Sequence, residues 1–108
     1  MRRAAAVLLP ALLVASALAG CGSGDGGGKP TVALGRGGEL FVDRCGRCHT
    51  LSAAGTDGKV GPKLDVLRPS VATVLTAIHN GPGVMPEGLV EGDDAQAVAR
   101  FVAAHAGR

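Results

Sequence analysis

The segment Cys45-Gly46-Arg47-Cys48-His49 constrains this chain more than any other. Two thiols three positions apart, followed at once by an imidazole, form the pattern through which a haem is fastened covalently to a polypeptide. The spacing has a chemical reason. One turn sets the two sulfurs on neighbouring sides of a compact loop, where each can form a thioether with one porphyrin vinyl, and His49 then falls beneath the iron.

The rest of the composition leaves room for such a filler. The chain has 108 residues, enough for one small domain, and its only aromatics are Phe41 and Phe101, with no Trp or Tyr. Folded units below about 70–80 residues usually need a disulfide, a metal or another staple, and a buried porphyrin supplies both apolar volume and a cross-link. Charge removes one class of partner. The 11 Lys plus Arg against 9 Asp plus Glu give +2, but Arg2 and Arg3 belong to the leader described next. Without those two the count is 9 against 9, which is neutral and gives no signal for nucleic acid.

Residues 1–20 read as an export signal. Arg2 and Arg3 make a charged start, and Ala4 to Ala19 is an almost unbroken apolar run ending in small residues. That run is short for a membrane span, which needs about 20 apolar residues. Leu18-Ala19-Gly20-Cys21 resembles the bacterial lipobox, and the resemblance implies that Cys21 is lipidated and becomes the new N-terminus. An ordinary cleavable signal with a stray Cys, or an uncleaved anchor, are the alternatives. Gly22 to Gly28 and then Lys29-Pro30 lack apolar periodicity, so residues 21–36 are expected to act as a flexible tether behind the lipidated Cys. A head on such a tether stays concentrated near other membrane-bound proteins.

The folded head is expected over 37–108. Leu40, Phe41 and Arg44 share one face of a first helix leading into Cys45. Leu51 to Lys59, with Gly55 and Asp57-Gly58, has no helical period and reads as a loop, and Gly61-Pro62 after it is a turn signal. Ser70 suits an N-cap for a helix in which Val71, Val74, Leu75 and Ile78 fall on one face, closed by Asn80-Gly81. Pro82 and Gly83 then deliver Met85 on a loop. Once the leader is removed Met85 is the only Met in the chain, and its Gly and Pro neighbours fit poorly with core filling, the usual role of a lone Met. The last helix is expected to start at Asp93, with Asp93 and Gln96 as a capping box. Val98, Phe101, Val102 and His105 share its inner face, and Gly107 ends it. No convincing strand is visible in the head.

Together these segments resemble a small class I, mono-haem cytochrome c. Gly37 and Phe41 match the Gly and aromatic of that family's first helix, and Ala99-Arg100-Phe101-Val102 matches its last. Gly61-Pro62-Lys63-Leu64 matches its Gly-Pro-x-Leu segment, and the run from Ile78-His79-Asn80-Gly81 to Met85-Pro86 matches its distal segment. The match extends from Gly37 to His105. It implies an all-α fold of three to four helices wrapped around one covalent haem c, with the N- and C-terminal helices crossing at Gly37. It also implies thioethers at Cys45 and Cys48 and iron held between His49 and Met85. The Pro62 carbonyl would accept a hydrogen bond from His49 Nδ1, and Leu64 would pack on the porphyrin face.

The function implied is one-electron transfer rather than catalysis, between redox proteins at the membrane such as a respiratory complex or terminal oxidase. The head would sit, lipid-anchored, on the extracytoplasmic face of a bacterial membrane. Haem propionates in the family are often held by aromatic or basic residues; with no Trp or Tyr here, Arg68 and Asn80 are the candidates. Arg44, Arg47, Lys59 and Lys63 are expected to border the haem edge, with Glu87, Glu91, Asp93 and Asp94 gathered beyond the Met loop.

Other readings compete. A haem-bearing subunit or sensor module of a larger complex needs the same residues. Zinc held by Cys45, Cys48 and two of His49, His79 and His105 has the right ligand number, but adjacent Cys48 and His49 are awkward tetrahedral partners. A thioredoxin-like pair expects a βαβ setting, and a haem enzyme needs an open sixth position that Met85 would close.

Overall fold

In a computed structural model that describes residues 27–108, the chain folds as four α-helices with one two-residue β-ladder beside them. The leader expected at 1–20, the lipidation expected at Cys21 and the first part of the expected tether lie outside the described residues. Helix α1 spans Gly35–Arg44, earlier than the start expected at Gly37. The packed head reaches back further still. The Thr31 N–H donates to the Ala53 carbonyl at 3.0 Å, and Val32 and Leu34 pack against the core. Burial of these two apolar side chains moves the boundary expected at 36/37 towards the N-terminus.

The loop expected over Leu51–Lys59 is more ordered than its composition suggested. Strand β1 (Thr50–Leu51) pairs antiparallel with β2 (Thr56–Asp57) across a 3-10 turn at Ser52–Ala54. Gly55 closes that turn at φ 71°, in the left-handed region that glycine enters without steric cost. Thr56 Oγ1 ties the ladder down, accepting from the Leu51 N–H at 3.0 Å and donating to the His49 carbonyl at 2.9 Å. Strands of two residues have no period to read, which is why the sequence shows none.

Helix α2 is a single turn, Leu64–Leu67. Helix α3 spans Val71–Asn80 and has the expected ends: Ser70 accepts from the Thr73 N–H, and Gly81 caps the C-terminus at φ 55°. Helix α4 spans Gly92–His105. The capping box expected at Asp93 is replaced by an N-cap at Glu91 without a side-chain hydrogen bond. Starting one residue earlier puts Asp93 and Asp94 in the first turn, where the helix dipole favours carboxylates. Asp94 also receives the Arg36 Nε–H at 2.7 Å, joining the first turns of α1 and α4.

Helices α1 and α4 cross at close range. A Cβ at Gly37 would fall on the Ala97 carbonyl, and one at Gly38 would meet the Phe101 ring at 2.8 Å. The Phe41 and Phe101 rings lie 6.4 Å apart and tilted by 37°. Phe41, Leu51, Val98 and Val102 are fully buried, and α3 packs on α4 from the other side. Asp65 on α2 closes the remaining gap. Its carboxylate accepts from the Ser52 N–H at 2.8 Å, the Ser52 hydroxyl at 3.0 Å and the Gly107 N–H at 3.0 Å. Desolvation raises this carboxyl's pKa, but hydrogen bonds from Gly107 and Ser52 outweigh it and hold the group below its ordinary value.

Candidate cofactor site

A cavity of about 440 Å³ opens between the end of α1, the segment 60–64, α3, the loop after it and the inner face of α4. Its size falls in the range of about 300–1,000 Å³ usual for small-molecule sites. Cys45, Cys48, His49, Pro62, Leu64 and Met85 all line it. Residues dispersed over some forty positions of sequence are thus brought to one cavity, and most of the remaining lining is aliphatic or proline.

The attachment segment is a tight turn on the end of α1. Cys45 caps that helix through its N–H to the Phe41 carbonyl at 2.8 Å, and the Cys48 and His49 N–H groups both return to the Cys45 carbonyl at 3.1 Å. Both thiols are free; Cys45 is buried and Cys48 half-buried. Burial, and then the neighbouring Cys48 sulfur, push the Cys45 thiol up to about 11.

His49 Nδ1 lies 2.9 Å from the Pro62 carbonyl. A carbonyl only accepts, so Nδ1 is the donor in this contact and Nε2 is left for another partner. The ring lies against Gly61, where a Cβ would fall on the imidazole itself, within 3.0 Å of Nε2. The Gly61 N–H also donates to the Cys48 carbonyl at 2.7 Å. Gly58 packs as closely on the backbone of Cys48 and His49. Gly58 and Gly61, together with Thr56, therefore fix the imidazole although the sequence reading assigned them no such task. The signal available was two glycines shortly after the His, each needing a reason to be there.

Met85 is set by the backbone of its own loop. Its N–H donates to the Pro82 carbonyl at 3.1 Å, and the Gly88 N–H returns to the Ile78 carbonyl at 2.8 Å. Gly81 must lack a side chain here, because a Cβ would meet the Met85 carbonyl at 2.6 Å and the Glu87 nitrogen at 2.5 Å.

This donor set fits a haem. Two thiols, an imidazole with Nδ1 already engaged and one thioether line a space whose other walls, Arg44 and Thr73 apart, are mostly hydrocarbon. Other expected residues fall elsewhere. Arg68 is not on the cavity wall; its side chain runs beside Gly107. Asn80 lines a separate groove outside α3. His79 is exposed, and His105 packs at a tilt against Phe101, with ring centres 4.8 Å apart. Among the described residues no three His, Cys, Asp or Glu side chains converge on a metal-holding position, which removes the zinc alternative. The basic border is thinner than expected, since Arg44 pairs with Asp43 at 2.9 Å and Lys59 with Asp57 at 3.4 Å.

Comparison with known proteins agrees with this chemistry. A family model described as cytochrome c oxidase, cbb3-type, subunit III matches residues 32–102. The chain is 29% identical over 113 residues to cytochrome c-551 of Bacillus subtilis, covering 94% of this chain and 96% of that protein. The crystal structure of the c-type cytochrome SorU from Sinorhizobium meliloti superposes with a TM-score of 0.65 at 42% identity, covering 69% of this chain and 92% of that one.

Proposed function

The chain belongs to the cytochrome c family and carries a covalent haem c, and from this premise we propose a one-electron carrier with iron held between His49 and Met85. Thioethers form at Cys45 and Cys48. The observation that carries this reading is that a single apolar cavity gathers both thiols, a His49 imidazole with Nδ1 already committed, and the lone Met85.

Bound haem supplies the Fe(II)/Fe(III) couple; the chain's residues set its terms. Pro62 orients His49 and strengthens it as a ligand, leaving Nε2 for the iron. Met85 would hold the iron through a soft sulfur, which would raise the potential relative to a second nitrogen. Leu64 and the aliphatic wall keep water away. Both ligands sit on backbone held by hydrogen bonds, so little reorganises when the charge changes.

Mass spectrometry of protein from cells competent in cytochrome c maturation should find one haem on the peptide carrying Cys45 and Cys48; an unmodified peptide would overturn the assignment. In Met85→Ala the reduced spectrum should change, the potential should fall and carbon monoxide should bind. If all three stay as in wild type, Met85 is not the ligand.

The carrier works outside the cytoplasm, lipid-anchored through Cys21 and exchanging electrons with membrane-associated redox proteins. The lipobox-like Leu18-Ala19-Gly20-Cys21 supports the anchor, and no helix among the described residues is long and apolar enough to cross a membrane. Cys21→Ser should release the head to the aqueous phase with its haem spectrum intact. A second reading, a fixed haem-bearing subunit of an oxidase, draws on the cbb3-type subunit description of the matching family model. Extraction in mild detergent separates the two: a subunit migrates with the oxidase, a carrier alone.

A further inference from the structure

We infer that residues 28–34 form a strap that keeps one side of the head, the turn at Ser52–Ala54 with Gly55 and β2 after it, towards the lipid surface. This rests on the anchor reading of Cys21. The strap is docked on the head. Exposure alternates along it, with Thr31 and Ala33 exposed and Val32 and Leu34 half-buried against the core, the two-residue period of an extended segment with one face covered. Its upstream end is seated by a glycine: a Cβ at Gly55 would fall on the Gly28 carbonyl and meet the Pro30 nitrogen at 2.8 Å. Further on, the Thr31 N–H donates to the Ala53 carbonyl at 3.0 Å, and the Gly38 N–H donates to the Leu34 carbonyl at 2.9 Å, which runs the strap into α1.

Docking shortens the chain between anchor and head. Seven Cα steps separate Cys21 from Gly28, and at full extension they span at most about 25 Å. With the strap released, the free chain runs to the start of α1 at Gly35, and its reach doubles to about 50 Å. A packed head of about 80 residues has a radius of gyration of about 12 Å and is roughly 30 Å across, so the path over its surface to the opposite side is roughly 47 Å. A chain pinned at Gly28 is too short for that path, and the head cannot turn its far side to the lipid; a chain released to Gly35 is long enough. The far side is that of α3, because α4 lies between α1 and α3 and packs on both. The strap thus turns the outer face of α3 to the aqueous side, where a partner can reach it.

The test uses the lipidated holoprotein on vesicles of phosphatidylethanolamine and phosphatidylglycerol that contain a nickel-chelating lipid. A spin label is placed in turn at Asp57→Cys, on β2 beside Gly55, and at Thr76→Cys, exposed on α3. With Cys45 and Cys48 bonded to haem and Cys21 lipidated, the new thiol takes the label. In the reduced protein, relaxation by headgroup nickel should be several-fold stronger at 57 than at 76. A Thr31→Pro, Val32→Ser double variant, which removes the donor to Ala53 and one half-buried apolar side chain, should bring the two sites close to equal. Insertion of seven Gly and Ser residues between Gly27 and Gly28 should do the same; it leaves strap and core untouched and so reports even if the double variant does not fold. Equal relaxation at the two sites in wild-type protein, or a difference that survives in either folded variant, overturns the strap. Failure of the anchor reading looks different, since wild-type protein would then keep a free Cys21 thiol and stay off the vesicles.

Discussion

The absence of one carbon atom at Gly61 decides where the His49 imidazole lies, because a Cβ there would occupy the ring's own space. Gly61→Ala should push the ring out, break the Nδ1 bond to Pro62 and cost about 1–3 kcal/mol, as overpacking usually does. The haem would stay attached through its thioethers while its ligation changed. A thermal melt read together with the oxidised spectrum checks both halves of this expectation. Asp65 acts at the same scale through charge. Its folded pKa lies below the ordinary aspartate value, so its stabilisation is fully present above about pH 4 and is lost as pH falls through the folded value. Asp65→Asn should therefore lower the denaturant midpoint at neutral pH, and the two proteins should converge in acid.

At the scale of elements, the crossing of α1 and α4 depends on Gly37, whose missing Cβ leaves room for the Ala97 carbonyl. Gly37→Ala should cost about 1–3 kcal/mol and lower the melting temperature by roughly 4–8 °C for each of them in a domain this small. This crossing was legible in sequence because Gly37, Phe41 and Phe101 stand in a known pattern. Helix α3 was legible for a more local reason: Ser70, the spacing of Val71, Val74 and Ile78, and Gly81 all speak within one stretch. The turn at Cys45–His49 and the loop that carries Met85 were equally local. What escaped was long-range. Asp65 bonds Ser52 and Gly107 across gaps of 13 and 42 positions, and Val32 and Leu34 read as tether residues until the core beneath them is known. Gly61 and His49 were each visible, but their contact exists only once the β-ladder has folded.

For the molecule as a whole, the cavity is large relative to what surrounds it. At about 24 cal/mol per Å³, leaving 440 Å³ unfilled would cost up to about 10 kcal/mol, comparable with the entire stability of about 5–15 kcal/mol usual for a domain. A Cys45→Ser, Cys48→Ser double variant, unable to hold haem covalently, should accordingly lose its cooperative melt in calorimetry. Charge is distributed more evenly than the cavity's asymmetry suggests, with Arg44, Lys59 and Arg36 each paired to a carboxylate. Electron-transfer rates to a partner should therefore fall only modestly as salt screens the remaining Arg47 and Lys63.

The closure of α1 on α4 also fixes an order of events in time. Gly37 and Ala97 stand 60 positions apart, and joining ends so distant costs roughly 4 kcal/mol of chain entropy beyond a constant. A chain made from its N-terminus has α1 long before α4 exists, and Phe41 lacks Val98, Phe101 and Val102, a large part of its core, until that helix emerges. During that interval Cys45 and Cys48 belong to an open chain. The topology itself thus leaves α1 and the turn after it without their main packing partner until the last helix arrives.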